Sequence, residues 1–233
     1  MVLSERLKHV ALLAGSGKCL ADIGCDHGYL GIWLVKNKLF EHVIAMDLRE
    51  GPLQAARHNV EEEGLSDSIE CRLSDGCDKL MKGEAQVLSF AGMGGPLMIS
   101  LLERDPDLIS SMDRLVLQPQ SEIPEVRLWL KANGFCIAEE DIVCEDGKFY
   151  PMMAAVKGEW KDRQLDVLFG GVLLEKKHPV LKDFLEKNLL QKMEVLETLI
   201  AASDSGNERV NGRIAEVEAS IADIREALKV YET

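Results

Sequence analysis

The sequence has 233 residues, 46% of them hydrophobic, and carries a formal net charge of −13. This length suits one domain of ordinary size plus an appendage, and the hydrophobic content excludes a wholly disordered chain. The excess of acids argues against gross electrostatic attraction to nucleic acid, and neither a signal peptide nor a membrane span is predicted, so we expect a cytoplasmic protein.

Strand-like apolar runs alternate with helical patterns over the first two-thirds of the chain. The predicted strands are 18–24, 42–47, 68–76, 85–92 and 114–119, and the predicted helices are 29–38, 51–63, 96–103 and 125–133. This alternation predicts an α/β fold with a mainly parallel sheet and helices on both faces. Two more apolar runs flank the Asp146-Gly147 pair, which predicts an antiparallel hairpin. Parallel strands followed by such a hairpin resemble the Rossmann-like class I methyltransferase sheet.

Beyond the predicted hairpin, apolar residues recur every three or four positions. One such series ends at Ile200 and a second starts at Val210, on either side of the short polar segment 202–207. This spacing is typical of coiled coils. We expect an antiparallel helical hairpin, because each series has a partner of matching length beside it; the alternative is a zipper between two chains. We therefore divide the chain into a sheet domain, 1–160, and a helical coiled-coil arm, 161–233.

The first predicted strand leads into a glycine turn, DIGCDHG (22–28). A dinucleotide site has the pattern Gly-x-Gly-x-x-Gly, and its middle glycine lets a diphosphate approach the backbone. Here Asp26 occupies that position, and its carboxylate repels a diphosphate but tolerates a ligand that carries an ammonium and a sulfonium group. S-adenosylmethionine is such a ligand. The alternatives are a catalytic acid and a tight corner in the sheet.

Three acids come at the ends of successive predicted strands. Asp22 lies at the end of the first strand, Asp47 ends the second strand twenty-five residues later, and Asp75 follows the third. An acid in the place of Asp47 can accept hydrogen bonds from ribose hydroxyls, and Asp75 is suited to the amino group of an adenine. The alternatives are a helix N-cap for Asp47 and a turn residue for Asp75. Their common placement predicts one ligand site at the carboxyl edge of the sheet.

The fourth and fifth predicted strands end in AGMGG (91–95) and LQPQ (117–120). The first stretch lacks the Asn/Asp-Pro-Pro-aromatic pattern with which many amino-methyltransferases hold a target amine. Its glycines instead let backbone groups approach a planar ligand closely. Gln118 and Gln120 have amides that can hydrogen-bond the edge of a base; the alternative for both is a solvated loop.

Several motifs together resemble, in order and spacing, the bacterial tRNA (adenine-22-N1)-methyltransferases. They are RLKHVA, ADIGCDHGYL, AGMGG, LVLQPQ, WLKANGF, EDGKFYPMMAAVKG and, before the helical arm, LFGGVLLEKKHPV. The resemblance covers nearly the whole chain and is most specific in the Asp-His pair of the glycine turn and in AGMGG. The chain departs from the family pattern at Cys25, Gly28 and Gly31, where Ser, Ala and Pro are expected. Gly171 replaces an expected Pro, which implies a more flexible linker to the arm.

The resemblance implies methyl transfer from S-adenosylmethionine to N1 of adenine 22 in tRNA, with the sheet domain as the catalytic domain. Asp26 is the implied catalytic residue, because a carboxylate can stabilise the positive charge that develops on the base or take a proton. His27 comes second, with anchoring of the turn as its alternative, and Tyr29 either stacks on the adenine or packs behind the turn. The implied cofactor residues are Asp22, Gly24, Cys25, Asp26, Gly28, Asp47, Leu48, Asp75, Gly76, Ala91, Gly92 and Met93. The implied substrate residues are Arg6, Gly94, Gly95, Gln118, Pro119, Gln120, Lys176 and Lys177.

A tRNA partner requires a local basic face on an acidic protein. Between residues 157 and 193, eight lysines and arginines stand against six acids, so we expect the base of the arm to position the tRNA. The alternatives are a solvated helix face for these lysines and a salt bridge in an N-terminal helix for Arg6. The six cysteines are scattered without a Cys-x-x-Cys pair, and we expect neither a metal nor a membrane partner. A monomer is favoured.

Two rival functions remain open from the sequence. One is a methyltransferase that acts on a small molecule or a protein. The other is a non-catalytic scaffold protein that binds S-adenosylmethionine and a partner through the arm. A nicotinamide dehydrogenase fits less well, because Asp26 obstructs the diphosphate path.

Overall fold

The structure, a computed structural model, describes residues 3–160, 163–201 and 208–232. Its strands are β1 (Gly17–Ile23), β2 (Phe40–Asp47), β3 (Ile69–Leu73), β4 (Val87–Met93), β5 (Arg114–Pro119), β6 (Phe135–Glu145) and β7 (Lys148–Lys157). Its α-helices are α1 (Glu5–Ala14), α2 (Tyr29–Lys36), α3 (Glu50–Glu62), α4 (Gly95–Leu102), α5 (Pro106–Ile109), α6 (Ile123–Ala132), α7 (Gly171–Glu175), α8 (Pro179–Ala201) and α9 (Glu208–Leu228). A π-helical segment, Asp166–Gly170, precedes α7, and a 3-10 turn, Lys229–Tyr231, follows α9.

The strands form one sheet in the order β3-β2-β1-β4-β5-β7-β6. Strands β1 to β5 are parallel, and β7 and β6 extend the sheet as antiparallel neighbours. The strand order therefore reverses between β1 and β4, the place where a doubly wound sheet opens a crevice for ligands. The α/β fold predicted from the sequence is confirmed.

Helices cover both faces of the sheet. Strand β1 is buried along its last five residues, and a parallel strand covered on both sides carries a continuous apolar run rather than an alternating one. One face packs against α4 and α6 around Phe90 and Met98. The other packs against α1, α2 and α3 around Leu20 and Leu53. The two cores hold the strand ends rigidly in register.

Helix α1 brings an N-terminal arginine to the sheet. Ser4 caps the helix by accepting a hydrogen bond from the Leu7 amide at 3.2 Å, an interaction that satisfies one of the unpaired amides of a first turn. His9 Nδ1 lies 2.6 Å from Asp141 Oδ2 on β6. With its apolar face in the core, α1 is held across the sheet and carries Arg6 to the carboxyl edge.

The hairpin predicted at residues 146 and 147 is confirmed. Asp146 and Gly147 both have positive φ angles, 51° and 74°, and Glu145 pairs with Lys148 across the turn. Two positive φ angles define the type I′ turn, whose twist matches that of antiparallel strands.

The chain divides into two compact units, Met1–Lys161 and Asp162–Thr233. In the second unit α8 and α9 pack together as the expected helical hairpin, and the connecting segment 202–207 lies outside the described residues. Gly171, where the family pattern has Pro, is helical with a φ of −62°, a value that proline also adopts. None of the described helices combines the length and apolarity needed to cross a membrane.

A buried ion pair joins α6 to β6. Arg127 Nη2 lies 2.9 Å from Glu140 Oε1, Arg127 Nε donates to the same oxygen at 3.0 Å, and both side chains are almost fully buried. Two charges removed from water stabilise a fold only while they remain together, because either one alone is strongly destabilising.

We expect Arg127→Met to lower the free energy of unfolding by about 3–5 kcal/mol, because it leaves the Glu140 carboxylate buried without the guanidinium. The double variant Arg127→Met with Glu140→Leu should recover most of the loss, since the apolar pair needs no charge compensation. Urea unfolding of both variants checks this, with Lys229→Met at an exposed pair as the control. A double variant as unstable as the single one would show that the pair is not the source of the effect.

Candidate functional site

A cavity of about 440 Å³ opens at the carboxyl edge of the sheet, beside the reversal between β1 and β4. Its lining includes many of the residues singled out in the sequence: Arg6, Asp22, Gly24, Cys25, Asp26, His27, Tyr29, Asp47, Leu48, Asp75, Gly76, Ala91, Gly92, Met93 and Gln120. It also includes residues that sequence reasoning missed, among them Arg49, Leu97 and Leu101. Their division between cofactor and substrate remains a prediction.

The glycine turn after β1 is tied to β2 by its backbone. The carbonyl of Met46 accepts hydrogen bonds from the amides of Gly24 at 2.8 Å and Cys25 at 3.0 Å. Gly24 has a φ of 74°, and a Cβ atom on it would come within 2.5 Å of the Met93 methyl group. Asp26 is also left-handed, with a φ of 52°, and its side chain is 63% exposed at the mouth of the cavity. The turn therefore projects a carboxylate from a left-handed backbone, and the positive φ of Gly24 favours glycine there.

Asp47 is buried at the end of β2 and braces this turn. One carboxylate oxygen accepts from the Arg49 amide at 2.8 Å and the other from the Asp26 amide at 3.3 Å. The N-cap position of α3 belongs to Arg49, whose side chain makes no capping bond. The N-cap alternative for Asp47 is therefore wrong.

Asp22 is 3% exposed and lies opposite Ser89 on β4. Burial raises the pKa of this carboxyl to about 7, and the nearby charge of Asp47 adds to the shift, while Ser89 and Arg6 reduce it. A buried acid with this pKa is neutral or charged according to what binds beside it. A cationic group in the cavity would favour its ionised form.

Cys25 shares this environment. Its side chain is buried, and burial, followed by the charges of Asp22 and Asp47, raises the pKa of its thiol far above the ordinary value. The thiol is therefore protonated at neutral pH and a poor nucleophile.

Asp75 is held by an arginine that the sequence did not reveal. Arg104 Nη1, just after α4, lies 2.9 Å from one Asp75 carboxylate oxygen and 3.6 Å from Asp78. These residues are far apart in the sequence, and no local pattern connects them. The ion pair orients Asp75 while its side chain stays partly exposed in the cavity wall.

Gln118 does not face the cavity. It is fully buried, its Oε1 accepts from Arg6 Nη1 at 2.9 Å and from the Gly92 amide at 3.1 Å, and its Nε2 donates to the Pro119 carbonyl. The expectation that its amide binds a base is therefore wrong. Arg6 is held by its hydrogen bond to Gln118 and by the Tyr150 ring, whose centroid lies 5.8 Å from the guanidinium carbon. The contacts described for Arg6 are therefore not those of the salt bridge considered as its alternative.

Other predicted residues have structural roles. Gly28 is the left-handed N-cap of α2, and Pro119 is buried in β5. Gly95 donates to the Ser121 carbonyl, and a Cβ atom there would come within 2.5 Å of that oxygen. Gly94 is the N-cap of α4.

Lys176 and Lys177 are exposed in the second unit, and their contact with tRNA remains a prediction.

His27 and Tyr29 form an aromatic pair at the cavity. Their rings stack with centroids 5.4 Å apart and an interplanar angle of 24°, and both are exposed. The side-chain amide of Asn59 donates a hydrogen bond to the backbone carbonyl of His27 at 2.9 Å, so the backbone of His27 is anchored and its ring is not. The imidazole Nε2 lies 3.7 Å from Asp26. The ring is therefore accessible to a ligand.

The cavity matches the chemistry of S-adenosylmethionine. Buried Asp22 suits an ammonium group, Asp47 suits ribose hydroxyls, and Asp75 suits the amino group of adenine. Gly24 and Met93 both line the cavity beside these acids. Among the described residues, no cluster of His, Cys, Asp and Glu could hold a metal ion.

Comparison with known proteins agrees with this chemistry. Residues 3–153 match the family model described as a methyltransferase domain. The chain is 34% identical over 210 residues to the tRNA (adenine(22)-N(1))-methyltransferase of Bacillus subtilis, and the alignment covers 87% of this chain and 88% of that protein.

Solved structures are similar over almost the whole chain. The crystal structure of the B. subtilis m1A22 tRNA methyltransferase matches with a TM-score of 0.88 at 31% identity, covering 97% of this chain and 99% of that one. A Streptococcus pneumoniae protein in complex with S-adenosyl-L-methionine matches with a TM-score of 0.87 at 33% identity, covering 97% of this chain and 100% of that one.

The pKa of Asp22 predicts a pH dependence of stability. As the pH rises from 3.8 to about 7, the unfolded chain ionises Asp22 while burial keeps it protonated in the folded protein. Without ligand, this group should therefore lower the free energy of unfolding over that range, by about 1.4 kcal/mol for each pH unit. Asp22→Asn should remove the contribution.

Urea unfolding of the wild type and of Asp22→Asn at several pH values measures the contribution of Asp22 to the free energy of unfolding. Asp113→Asn, at an exposed position, is the control. A difference between wild type and Asp22→Asn that does not change with pH would contradict the assignment.

Proposed function

The chain belongs to the tRNA (adenine(22)-N(1))-methyltransferase family, and we infer from this that it methylates N1 of adenine 22 in tRNA with S-adenosyl-L-methionine as the methyl donor. The structural observation that supports the inference is the placement of Asp26. Its exposed carboxylate stands at the mouth of a cavity whose walls hold three further carboxylates and a glycine loop. We also infer a cytoplasmic location, where tRNA is modified.

The reaction depends more on the relative placement of the methyl group and N1 of adenine than on activation of either one. S-adenosyl-L-methionine supplies an electrophilic methyl group on a sulfonium, and N1 of adenine has a free lone pair. The barrier is therefore dominated by in-line alignment of the two. Asp22, Asp47 and Asp75 orient the donor from three strand ends, and the braced turn keeps these strand ends in one arrangement.

Asp26 acts on the positive charge that develops on the adenine during methyl transfer. Methylation of N1 leaves a cationic base, and a carboxylate beside it stabilises that charge or accepts a proton from the amino group. The left-handed backbone and the hydrogen bond from its amide to Asp47 direct Asp26 away from the protein. His27, 3.7 Å away, is the second candidate for proton transfer.

The target base must be presented with its Watson–Crick edge free. N1 lies on that edge, so the adenine has to be unpaired or flipped out of its stack. The exposed pair of His27 and Tyr29 provides an aromatic face at the cavity on which a base can stack. We assign this pair to the substrate side of the site.

The second unit supplies the surface that positions tRNA in this proposal. An overall charge of −13 repels RNA at long range, so binding depends on local cations. Lys176 and Lys177 are exposed at the end of α7. Phosphate contacts of this kind set register without reading sequence.

Asp26→Asn tests the chemical assignment. Asparagine tolerates a positive φ, so the turn should keep its shape while the charge is lost. With unmodified tRNA and labelled S-adenosyl-L-methionine, nucleoside analysis should show 1-methyladenosine formed about 100-fold or more slowly than by wild type. The wild type should give no product on a tRNA that carries guanine at position 22.

Asp47→Ala provides the comparison for cofactor binding, although it also removes the acceptor of the Asp26 amide. It should weaken cofactor binding by about 1–3 kcal/mol, measured by calorimetry, because it removes acceptors of charged hydrogen bonds. Asp26→Asn should leave that affinity within a few-fold of wild type. Turnover close to wild type in Asp26→Asn would remove Asp26 from the mechanism.

Reversing the charge of Lys176 and Lys177 tests the RNA surface. The variant with both lysines changed to Glu should bind tRNA more weakly, and the slope of log K against log salt should become shallower by about 0.7–0.9 for each phosphate that is no longer neutralised. Cofactor affinity should not change. Arg213→Glu, an exposed charge reversal on α9, is the control. An equal effect in the control would show that α7 is not the RNA surface.

A further inference from the structure

One buried oxygen atom connects two walls of the cavity. Gln118 Oε1 accepts from the Arg6 guanidinium at 2.9 Å and from the Gly92 amide at 3.1 Å. Arg6 belongs to α1, whereas Gly92 belongs to the glycine-rich segment 91–95, here called the glycine loop, in which β4 ends and α4 begins. Both residues line the cavity. Gln118 itself is fully buried in β5 and does not line it.

The bond to Gly92 exists because β4 is irregular at its end. Ala91 pairs with Gln118 and Met93 with Pro119, so Gly92 is an extra residue in a bulge. Its φ of 81° is left-handed. A bulged residue is left unpaired by the ladder, and a half-buried amide without an acceptor is costly. The Gln118 side chain supplies that acceptor and so fixes the path of the loop.

The bond to Arg6 fixes a cation without neutralising it. Oε1 accepts one of the five guanidinium N–H groups, and the Tyr150 ring lies 5.8 Å from the guanidinium carbon. A Cβ atom on Gly92 would come within 3.5 Å of Arg6 Nη1. The guanidinium therefore lies next to the Gly92 position, with space between them for no more than a Cβ atom.

We propose that Gln118 is a positioning residue of the methyl-transfer site, which uses one amide oxygen to hold the glycine loop 91–95 and the Arg6 guanidinium in a single arrangement. The proposal rests on the proposed function, because it takes the cavity as the place of methyl transfer. Gln118 touches neither the donor nor the base. It acts through Gly92 and Arg6.

A neutral amide is the suitable acceptor for this role. A glutamate would accept the same two hydrogen bonds but would pair with Arg6 and cancel its charge inside the wall. Glutamine keeps the positive charge of Arg6 directed at the cavity, whose walls also hold the carboxylates of Asp26 and Asp47. Glutamate keeps the acceptor for Arg6 and Gly92 but loses the donor to the Pro119 carbonyl, whereas methionine loses all three hydrogen bonds.

The test compares Gln118→Met with Gln118→Glu. We expect Gln118→Met to lower kcat on tRNA by about 10–100-fold, because small displacements of a reacting geometry have effects of this size. Cofactor affinity should change much less than kcat. Gln118→Glu keeps the acceptor and should restore part of the lost kcat. In a double-mutant cycle, Arg6→Met should cost less in the Gln118→Met background than in wild type.

Gln86→Met is the matched control. Gln86 Oε1 accepts from the Cys19 amide at 3.0 Å, away from the cavity. The same loss of a glutamine hydrogen bond should lower the melting temperature there and leave kcat unchanged. If Gln118→Met behaves like Gln86→Met, the role of Gln118 is only structural and the proposal is wrong.

A readout independent of activity separates the two proposals. Hydrogen exchange at the Gly92 amide should be slow in wild type and Gln118→Glu and fast in Gln118→Met. If wild type forms no 1-methyladenosine, the proposed function fails, whereas the exchange data still decide whether Gln118 holds the loop. Unchanged exchange in Gln118→Met would overturn the proposal, even in an active enzyme.

Discussion

The site depends on a pair of hydrogen bonds to one carbonyl. Met46, near the end of β2, accepts from the consecutive amides of Gly24 and Cys25. Parallel strands end at the same edge of a sheet, but the loops that follow them are free to diverge. Here the turn after β1 is bound to the neighbouring strand, which brings the Asp26 amide to Asp47. The positive φ angles of Gly24 and Asp26 are the backbone condition for this path.

Features governed by local sequence could be predicted. The apolar runs located the strands, because strands covered on both faces of a parallel sheet are mostly apolar. Asp146-Gly147 specified its turn, since both residues tolerate positive φ. Asp22, Asp47 and Asp75 were predicted to share one site from their placement at strand ends alone, and all three line the cavity.

Features that depend on long-range contacts could not be predicted. Arg6 and Gln118 are 112 positions apart, and neither α1 nor the bulge at Gly92 leaves a pattern that joins them. A side chain at a strand end can point to solvent or inward, and in β5 the Gln118 side chain points inward, where it meets the Gly92 amide. The ion pair between Asp75 and Arg104 likewise arises from how α4 meets the loop after β3.

The protonated thiol of Cys25 has a consequence for the selectivity of the enzyme. A methyl sulfonium alkylates soft nucleophiles, and a thiolate in the wall of the cavity would compete with the tRNA base and inactivate the protein. Burial beside Asp22 and Asp47 suppresses the thiolate. Burial, with a smaller contribution from the two acids, therefore keeps a cysteine in its thiol form where the family pattern has a serine.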